Sequence, residues 1–458
     1  MTNPCLKLYL FNVGGGDHLM LEFSNGAIGI IDCFYTNSVL GLQEPPALTY
    51  LKCRVDTKIK SASSEKVVIS FIALSHADLD HIKHIEMIFD FIQRESEHVQ
   101  LDNLWLFGGI DLRQFSAEIE KLNSDIINSL GGDAQEEFEM SAKSYLSILA
   151  RIDEFRNYWV DANHKTESYF SDFSEFIKYG DCEAFRAFSL APLANIIRNQ
   201  TDESIHHLIR MIYERVQPFQ NKFESVSVRR KYNLNRNAIS AVLGIRTKDY
   251  NLIFGGDATK EVLQASINDI TKRWQKKEHG DLLNPDFLKV SHHGAKGSTS
   301  PQLWDTLFRD PKGDLLLGIS AGKNQKYLHP HSELYRDVSA CCDSHQVRCN
   351  IYRTNSCPDC KVLPRLDDEE NLDDWFRYHG CETGDSRLDE DFANQFTARE
   401  KSGTNILRQG LLAYVFYFPN DGCNKDIKVH RGLSTLVGNY DCCVYGEQNE
   451  YYCKSKAR

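Results

Sequence analysis

The feature that most constrains this chain is a buried strand that ends in a cluster of charge. Val67-Val68-Ile69-Ser70-Phe71-Ile72-Ala73-Leu74 is an apolar run of strand length without the alternation of a one-sided sheet. It reads as a strand covered on both faces, which demands layers on either side of its sheet. It runs into Ser75-His76-Ala77-Asp78-Leu79-Asp80-His81, after which apolar residues return at helical spacing from Ile82 to Phe89. Two imidazoles and two carboxylates therefore occupy a loop between the carboxyl end of a strand and a helix. Open α/β sheets bind ligands at that place. Nitrogen and carboxylate oxygen together suit zinc, manganese or iron better than calcium. A plainer reading also stands, in which Asp78 or Asp80 caps the helix and the histidines are incidental.

The same punctuation recurs along the chain. Leu6 to Asn12 alternates as a strand, Gly14-Gly15-Gly16-Asp17 makes a tight turn, and a hairpin around Asn25-Gly26 ends at Ile30-Ile31-Asp32. Asn251 to Phe254 runs into Gly255-Gly256-Asp257, and Phe287 to Val290 runs into Ser291-His292-His293-Gly294. The strand Leu315 to Ser320 is followed by a loop to His329-Pro330-His331. A lone histidine or a Gly-Gly-Asp turn says little, but donors at one strand end after another point to a metal site.

Between these elements, Gln43 to Glu65 is polar and reads as an extended loop near the mouth of the site. Leu104 to Phe107 reads as a core strand, Phe115 to Lys178 as helical, Ile205 to Gln217 as a helix, and Ala238 to Ile245 as a strand. The division expected is 1–110 for a first half-domain, 111–183 for a helical insertion, 184–356 for a second half-domain and 357–458 for a carboxyl-terminal extension. The insertion could be a lid or a docking surface for a protein partner.

Composition narrows the function classes. With 458 residues, 41% hydrophobic and 26% charged, the chain is an ordinary globular sequence with enough apolar material for a large core. Its formal charge of -11 means that a nucleic-acid contact must come from a local patch. Arg229, Arg230, Lys231 and Arg236 make the most basic short stretch, and it is read either as a solvated loop or as a phosphate-contacting patch. No signal peptide is evident, and no apolar run approaches the roughly 20 residues that span a bilayer. The cytoplasm is the expected compartment. The 14 cysteines then read as reduced thiols or metal ligands, and Cys357-Pro358-Asp359-Cys360 has the spacing of half a structural zinc site.

His76-x-Asp78-x-Asp80-His81 resembles the second motif of the metallo-β-lactamase fold, with aspartate in place of its middle histidine. That variation is similar to the ComEC-type branch, relatives of the hydrolase domain of DNA-uptake proteins. Phe11-Asn12-Val13-Gly14-Gly15-Gly16-Asp17 resembles the branch's opening signature, with departures at Asn12 and Gly15. The Gly256-Asp257, His292-His293-Gly294 and His329-Pro330 elements match the later ones, so the resemblance covers about 6–107 and 184–355. It implies an α+β four-layer αββα sandwich, two sheets face to face with helices outside. It further implies that His76 and Asp78 hold one ion and that Asp80 and His81 hold a second. Asp257 would bridge both, and His292, His293 or His329 would complete the set. Asp32 would support the loop without ligating, and Asp17 would sit beside it. A third histidine between the second motif and the bridging aspartate is missing from the pattern, which leaves one-metal and two-metal sites open.

The chemistry expected is metal-dependent hydrolysis. A divalent metal brings the pKa of bound water from about 15.7 towards 7. A carboxylate-rich set favours manganese over zinc relative to a three-histidine site. Phosphodiester cleavage of DNA or RNA is the leading reading, with Asp80, His293 and His329 as catalytic groups and Lys296, Lys323, Arg229 and Arg230 as phosphate contacts. Two alternatives stand beside it. One is hydrolysis of a small ester, lactone or nucleotide, and the other is a partner-dependent component of a bacterial defence-type system.

Overall fold

The structure is a computed structural model, and it describes residues 6–36, 43–76, 78–106, 147–161, 168–169, 174–179, 185–191, 240–274, 284–295, 297–309, 315–321, 329–345, 349–354, 409–418, 428–435, 440–445 and 451–455. The chain opens as an antiparallel meander of β1 (Leu6–Phe11), β2 (Leu19–Phe23) and β3 (Ile28–Ile31). A helix, α1 (Pro46–Lys60), crosses over to β4 (Val67–Ala73), which pairs parallel to β3. The polar stretch 43–65, expected as an extended loop, is therefore mostly helix. Pro46 opens it at a position where no backbone N–H is missed, and Ala47, Leu48, Leu51 and Val55 form a narrow buried stripe. The polar remainder that suggested a loop is the helix's outer surface.

After β4 come α2 (Leu79–Ile82) and α3 (Ile85–Arg94), then β5 (Val99–Leu101) and β6 (Leu104–Leu106), both parallel to β4. Of the segment 111–183, residues 147–161 form a helix, α4, that packs Ile148, Ile152, Phe155 and Trp159 into the core. The same segment supplies strands to both sheets: β7 (Ser168–Tyr169) lies beside β6, and β8 (Ser174–Tyr179) pairs with β9 (Phe185–Ala191). The second sheet continues through β10 (Val242–Arg246) and β11 (Asn251–Phe254). Helix α5 (Lys260–Trp274) leads to β12 (Phe287–Lys289), α6 (Pro301–Leu307) to β13 (Leu315–Ile319), and α7 (Ser332–His345) to β14 (Cys349–Arg353). β15 (Gln409–Phe418), β16 (Lys428–Thr435), β17 (Tyr440–Tyr445) and β18 (Tyr451–Ser455) rejoin the first sheet, with Ala413 to Phe418 of β15 antiparallel to the whole of β1.

Both sheets are mixed. The first runs β17-β18-β16-β15-β1-β2-β3-β4-β6-β7, and the second β14-β13-β12-β11-β10-β9-β8. Side chains divide between them by the period of two. On β1, Leu6, Leu8 and Leu10 join a cluster with Phe185, Leu243, Phe254, Phe287 and Leu316 of the second sheet. Tyr9 and Phe11 point the other way, into a cluster with α1, α3 and α4. The outer face of the second sheet packs on α5, α6 and α7. The result is helices, sheet, sheet and helices in four layers. Among the described residues, no helix is long and apolar enough to cross a membrane.

Aromatic stacking joins the two sheets close to the loop ends. Phe71 of β4 is fully buried, stacks on Trp105 at a centroid distance of 4.4 Å, and meets Phe185 of the second sheet edge-on at 5.7 Å. Gly29, its neighbour on β3, leaves room for the ring, since a Cβ there would stand 2.4 Å from Phe71 Cζ. Phe71→Ala should cost about 3–5 kcal/mol, the range for emptying a buried aromatic site. Urea denaturation of the variant against the parent chain measures this, and a loss below about 1 kcal/mol would mean that the sheets close over the gap.

Candidate metal centre

The loop after β4 is held by the end of β3. Asp32 adopts a left-handed backbone, with φ 54°, and is buried. Its Oδ1 accepts the Ser75 backbone N–H at 2.7 Å, and its Oδ2 accepts the Ser75 hydroxyl at 2.7 Å and pairs with His81 Nδ1 at 2.8 Å. His81 thus presents Nε2 forward. Backbone bonds sew the glycine turn to the same loop: the Asp17 N–H donates to the Asp80 carbonyl at 2.9 Å, and the Cys33 N–H donates to the His81 carbonyl at 2.6 Å. Gly16 lies so close that a Cβ would come within 2.3 Å of the Asp80 carbonyl oxygen. The turn therefore serves as a brace for the loop.

Asp78 occupies the N-cap position of α2 but makes no side-chain capping bond. Its Oδ2 instead lies 3.7 Å from His76 Nε2. The capping reading fails on this geometry, because the carboxylate faces the imidazole.

The second sheet contributes from across the sandwich edge. Gly256, with φ 51°, turns the chain after β11, and a Cβ there would meet the Ala241 carbonyl and the Ser240 hydroxyl at 2.6 Å. Only glycine fits that turn. The Ser240 hydroxyl accepts the Asp257 N–H at 2.8 Å and fixes the carboxylate. After β12, His292 (φ 49°), His293 (φ 53°) and Gly294 (φ 76°) are all left-handed. For histidine that conformation costs about 1–3 kcal/mol, and such strain clusters at functional sites. It is held by the His292 N–H on the Gly256 carbonyl at 2.9 Å and by His293 Nδ1–H donating to the Ser320 carbonyl at 2.6 Å.

Asp257 sits where these donors meet. Its Oδ1 lies 3.3 Å from His81 Nε2 and 3.8 Å from His293 Nε2, and the latter is 3.6 Å from Asp80 Oδ2. Its Oδ2 lies 3.8 Å from His76 Nε2 and 3.9 Å from His292 Nε2. Donors about 2.1 Å from one ion stand roughly 3–3.5 Å apart, so these gaps are close to those of a coordination shell. Asp80, His81, Asp257 and His293 each bring a donor atom within 4.8 Å of the other three. Buried His76 Nε2, His81 Nε2, His293 Nε2 and Asp257 Oδ1 have no hydrogen-bond partner among the described residues. Buried polar atoms are rarely left so, and four aimed at one place fit a cation. The His/Asp cluster could thus bind a metal ion. The imidazole on the His76 side, which no histidine between residues 82 and 256 offered in sequence, is His292. His84 is engaged elsewhere, where it accepts the Tyr35 N–H.

The electrostatics agree. Burial pushes the Asp257 carboxyl up, but the charges of His81, His293 and His292 outweigh it and hold the group well below the usual carboxylate range. Burial likewise disfavours a charged His81, yet Asp257, Asp32 and Asp17 raise its pKa well above the ordinary value. The pocket attracts positive charge. Asp78 and Asp80 keep side-chain exposures of 18% and 36%, and His292 of 35%, so the mouth opens on that side. His329 is half-buried, its ring 5.6 Å from that of His292 and 6.2 Å from that of His293. Burial and the neighbouring histidines push its pKa down to about 4, so it meets the site as a neutral imidazole.

A second group, Asp17, Asp32 and His81, also lies within metal-binding range. It does not fit an ion as well. Asp32 is already bonded to His81 and Ser75, and the buried Lys289 ammonium sits on Asp17 and reaches the Gly256 carbonyl at 3.3 Å. In sequence Lys289 flanks the His292-His293 motif and reads as a candidate phosphate contact, but its burial on Asp17 takes it out of that role. Its place inside the apolar strand Phe287-Leu288-Lys289-Val290 was the signal that it must be buried and paired. Reading residue by residue also missed His18. It is fully buried, with Nδ1 on the Asp32 carbonyl at 2.9 Å and Nε2 accepting the Ala47 N–H at 3.2 Å. It thereby ties α1 to the turn that carries Asp32. Lys296, Lys323, Arg229, Arg230, Cys357 and Cys360 lie outside the described residues.

No family model matches the chain. Over 100 residues it is 36% identical to ComE operon protein 3 of Bacillus subtilis (strain 168), a match covering 22% of this chain and 11% of that protein. The similarity hints at a ComE-related family, and the chain spans only a small part of that relative's length.

Two outcomes follow from the geometry. Asp32→Asn should weaken manganese or zinc binding by about 10–100-fold, the cost of removing a carboxylate that orients a ligating histidine. Titration against a chromophoric chelator measures it, and unchanged affinity would show that His81 does not depend on Asp32. His18 is pushed by burial from 6.5 down to about 4, so its protonation favours the unfolded chain. Its contribution to stability is complete above pH 6.5 and is lost as pH falls from there to about 4, in total about 3 kcal/mol. In urea denaturation across that window, His18→Gln should flatten the fall in stability with acid by about one proton.

Proposed function

We propose that the chain is a metal-dependent hydrolase of the metallo-β-lactamase fold, ComEC-type branch, that cleaves phosphodiester bonds in DNA or RNA. The observation that carries this reading is the convergence of His76, His81, His292 and His293 on the two oxygens of Asp257, with Asp78 and Asp80 at the mouth. The four layers, the loops at one sandwich edge and the partial similarity to ComE operon protein 3 support it.

Asp80, His81, His293 and Asp257 Oδ1 would hold one ion, and His76, Asp78, His292 and Asp257 Oδ2 a second. Divalent cations held there would supply Lewis acidity, towards water and towards a phosphate oxygen. The residues do the rest by position. Asp32 and the Ser320 carbonyl fix the tautomers of His81 and His293, so that each offers Nε2. His76 Nδ1 is held by the Ser75 hydroxyl at 3.0 Å. His329, neutral at the rim, can accept or pass a proton.

Charge favours an anionic substrate. Two divalent ions would offset Asp78, Asp80 and Asp257 and present positive charge at the mouth of a chain of formal charge -11. Manganese suits this oxygen-rich set. Lys296, Lys323, Arg229 and Arg230 are proposed phosphate contacts.

Asp257→Ala and Asp80→Ala should each reduce manganese-dependent degradation of labelled single-stranded DNA by at least about a thousandfold, with circular dichroism unchanged. Undiminished cleavage in both would sink the assignment. Turnover of small esters or nucleotides with polynucleotides left intact would redirect it to another substrate.

A further inference from the structure

A separate group of metal-type donors lies between α6 and α7, on the outer side of the second sheet. Cys341 and His345 are four residues apart on α7 and therefore share one face of it. Asp305 of α6 faces them, with Oδ1 3.9 Å from His345 Nε2. One donor atom from each of the three lies within 4.8 Å of the others. Their burial is graded: Cys341 is only 2% exposed, the His345 side chain 22% and the Asp305 side chain 56%. The arrangement has a thiol at its floor and a carboxylate at its lip, so an ion can enter from solvent. Cys341 is a free cysteine, with no disulfide to occupy its sulfur.

We propose that Asp305, Cys341 and His345 form a zinc site that clips α6 to α7. A thiolate, an imidazole and a carboxylate are the donors zinc takes, while manganese and magnesium avoid sulfur. The three protein donors leave a fourth position towards solvent for water. Binding displaces the thiol proton of Cys341 to solvent. This site is chemically distinct from the Asp257 centre, whose donors among the described residues are nitrogen and oxygen, and it stands whether or not that centre is hydrolytic.

The clip has a structural consequence. Helix α6 begins just after the loop that carries His292 and His293, and α7 begins just after His329 and His331. The two loops touch, with the His331 N–H donating to the Gly294 carbonyl at 2.9 Å, and the Thr299 hydroxyl before α6 donates to Asp337 Oδ2 of α7 at 3.1 Å. An ion joining the far ends of α6 and α7 would limit how far these loops can separate.

Cobalt(II) titration of the full chain after chelator treatment is the test, since thiolate-to-cobalt charge transfer absorbs in the near ultraviolet and the Asp257 centre cannot produce it. The parent chain should show the band and lose it on zinc addition. Cys341→Ser should abolish it, and His345→Ala and Asp305→Ala should each weaken cobalt binding at least tenfold. The band should persist in Asp257→Ala and in the Cys357→Ser/Cys360→Ser double variant. A parent chain without the band, or a band that survives in Cys341→Ser, would overturn the proposal. So would a band that vanishes in the Cys357→Ser/Cys360→Ser chain. If Cys341→Ser fails to fold, His345→Ala at the partly exposed position decides: unchanged cobalt affinity there overturns the site.

Discussion

The carboxylate of Asp32 is the interaction on which the candidate metal centre depends. It is buried, left-handed in its backbone, and bonded at once to the Ser75 backbone, the Ser75 hydroxyl and His81. Those bonds tie the end of β3 to the loop after β4, and they set which nitrogen of His81 faces Asp257. Taking an ionised carboxylate out of water is costly, and the cost is offset only when its oxygens are well bonded. The position is therefore stable in one arrangement, and that arrangement aims the loop. His18 and α1 hold the same turn from behind, which makes the segment between β3 and β4 part of the centre's support although it contributes no donor.

The sandwich supplies the other half of the geometry. Asp257 and the two consecutive histidines come from the second sheet, while His76, Asp78, Asp80 and His81 come from the first. The apolar layer between the sheets is dense in aromatics, with Phe23, Phe71, Trp105 and Phe185 in contact. Close-packed interiors transmit displacement instead of absorbing it. The separation of the two loop sets is accordingly a property of the core, and a void at Phe71 would be felt at Asp257.

Much of this was legible before any coordinates. The strand Val67–Leu74, the donors after it, the Gly-Gly-Asp turn and the His-His-Gly turn are local patterns, and local patterns follow from period and backbone sterics. The misreadings have equally physical causes. Residues 43–65 looked like a loop because a helix with a narrow buried stripe is polar over most of its surface, and average polarity hides the stripe. Lys289 looked like a flank because its pairing with Asp17, 272 positions earlier, has no local trace. His292 was not separable from His293, since adjacent residues in a strand-end turn share every local signal.

By itself, the sequence determined that several strands end in metal-type donors, that the core is large enough for two covered sheets, and which residue types a metal centre there would draw on. Those are consequences of side-chain periodicity and of donor chemistry, both written residue by residue. Only the tertiary structure decided that His81 and His293 face one oxygen of Asp257 while His76 and His292 face the other. It likewise decided that Asp78 turns to His76 in place of a capping bond, and that Asp305 meets Cys341 and His345 across two helices. The Asp257 contacts and the Asp305 group rest on the packing of segments far apart in the chain, and the Asp78–His76 contact on how their loop is held. A left-handed turn at 292–294 aims His292 and His293, and the contact between the sheets brings them to Asp257.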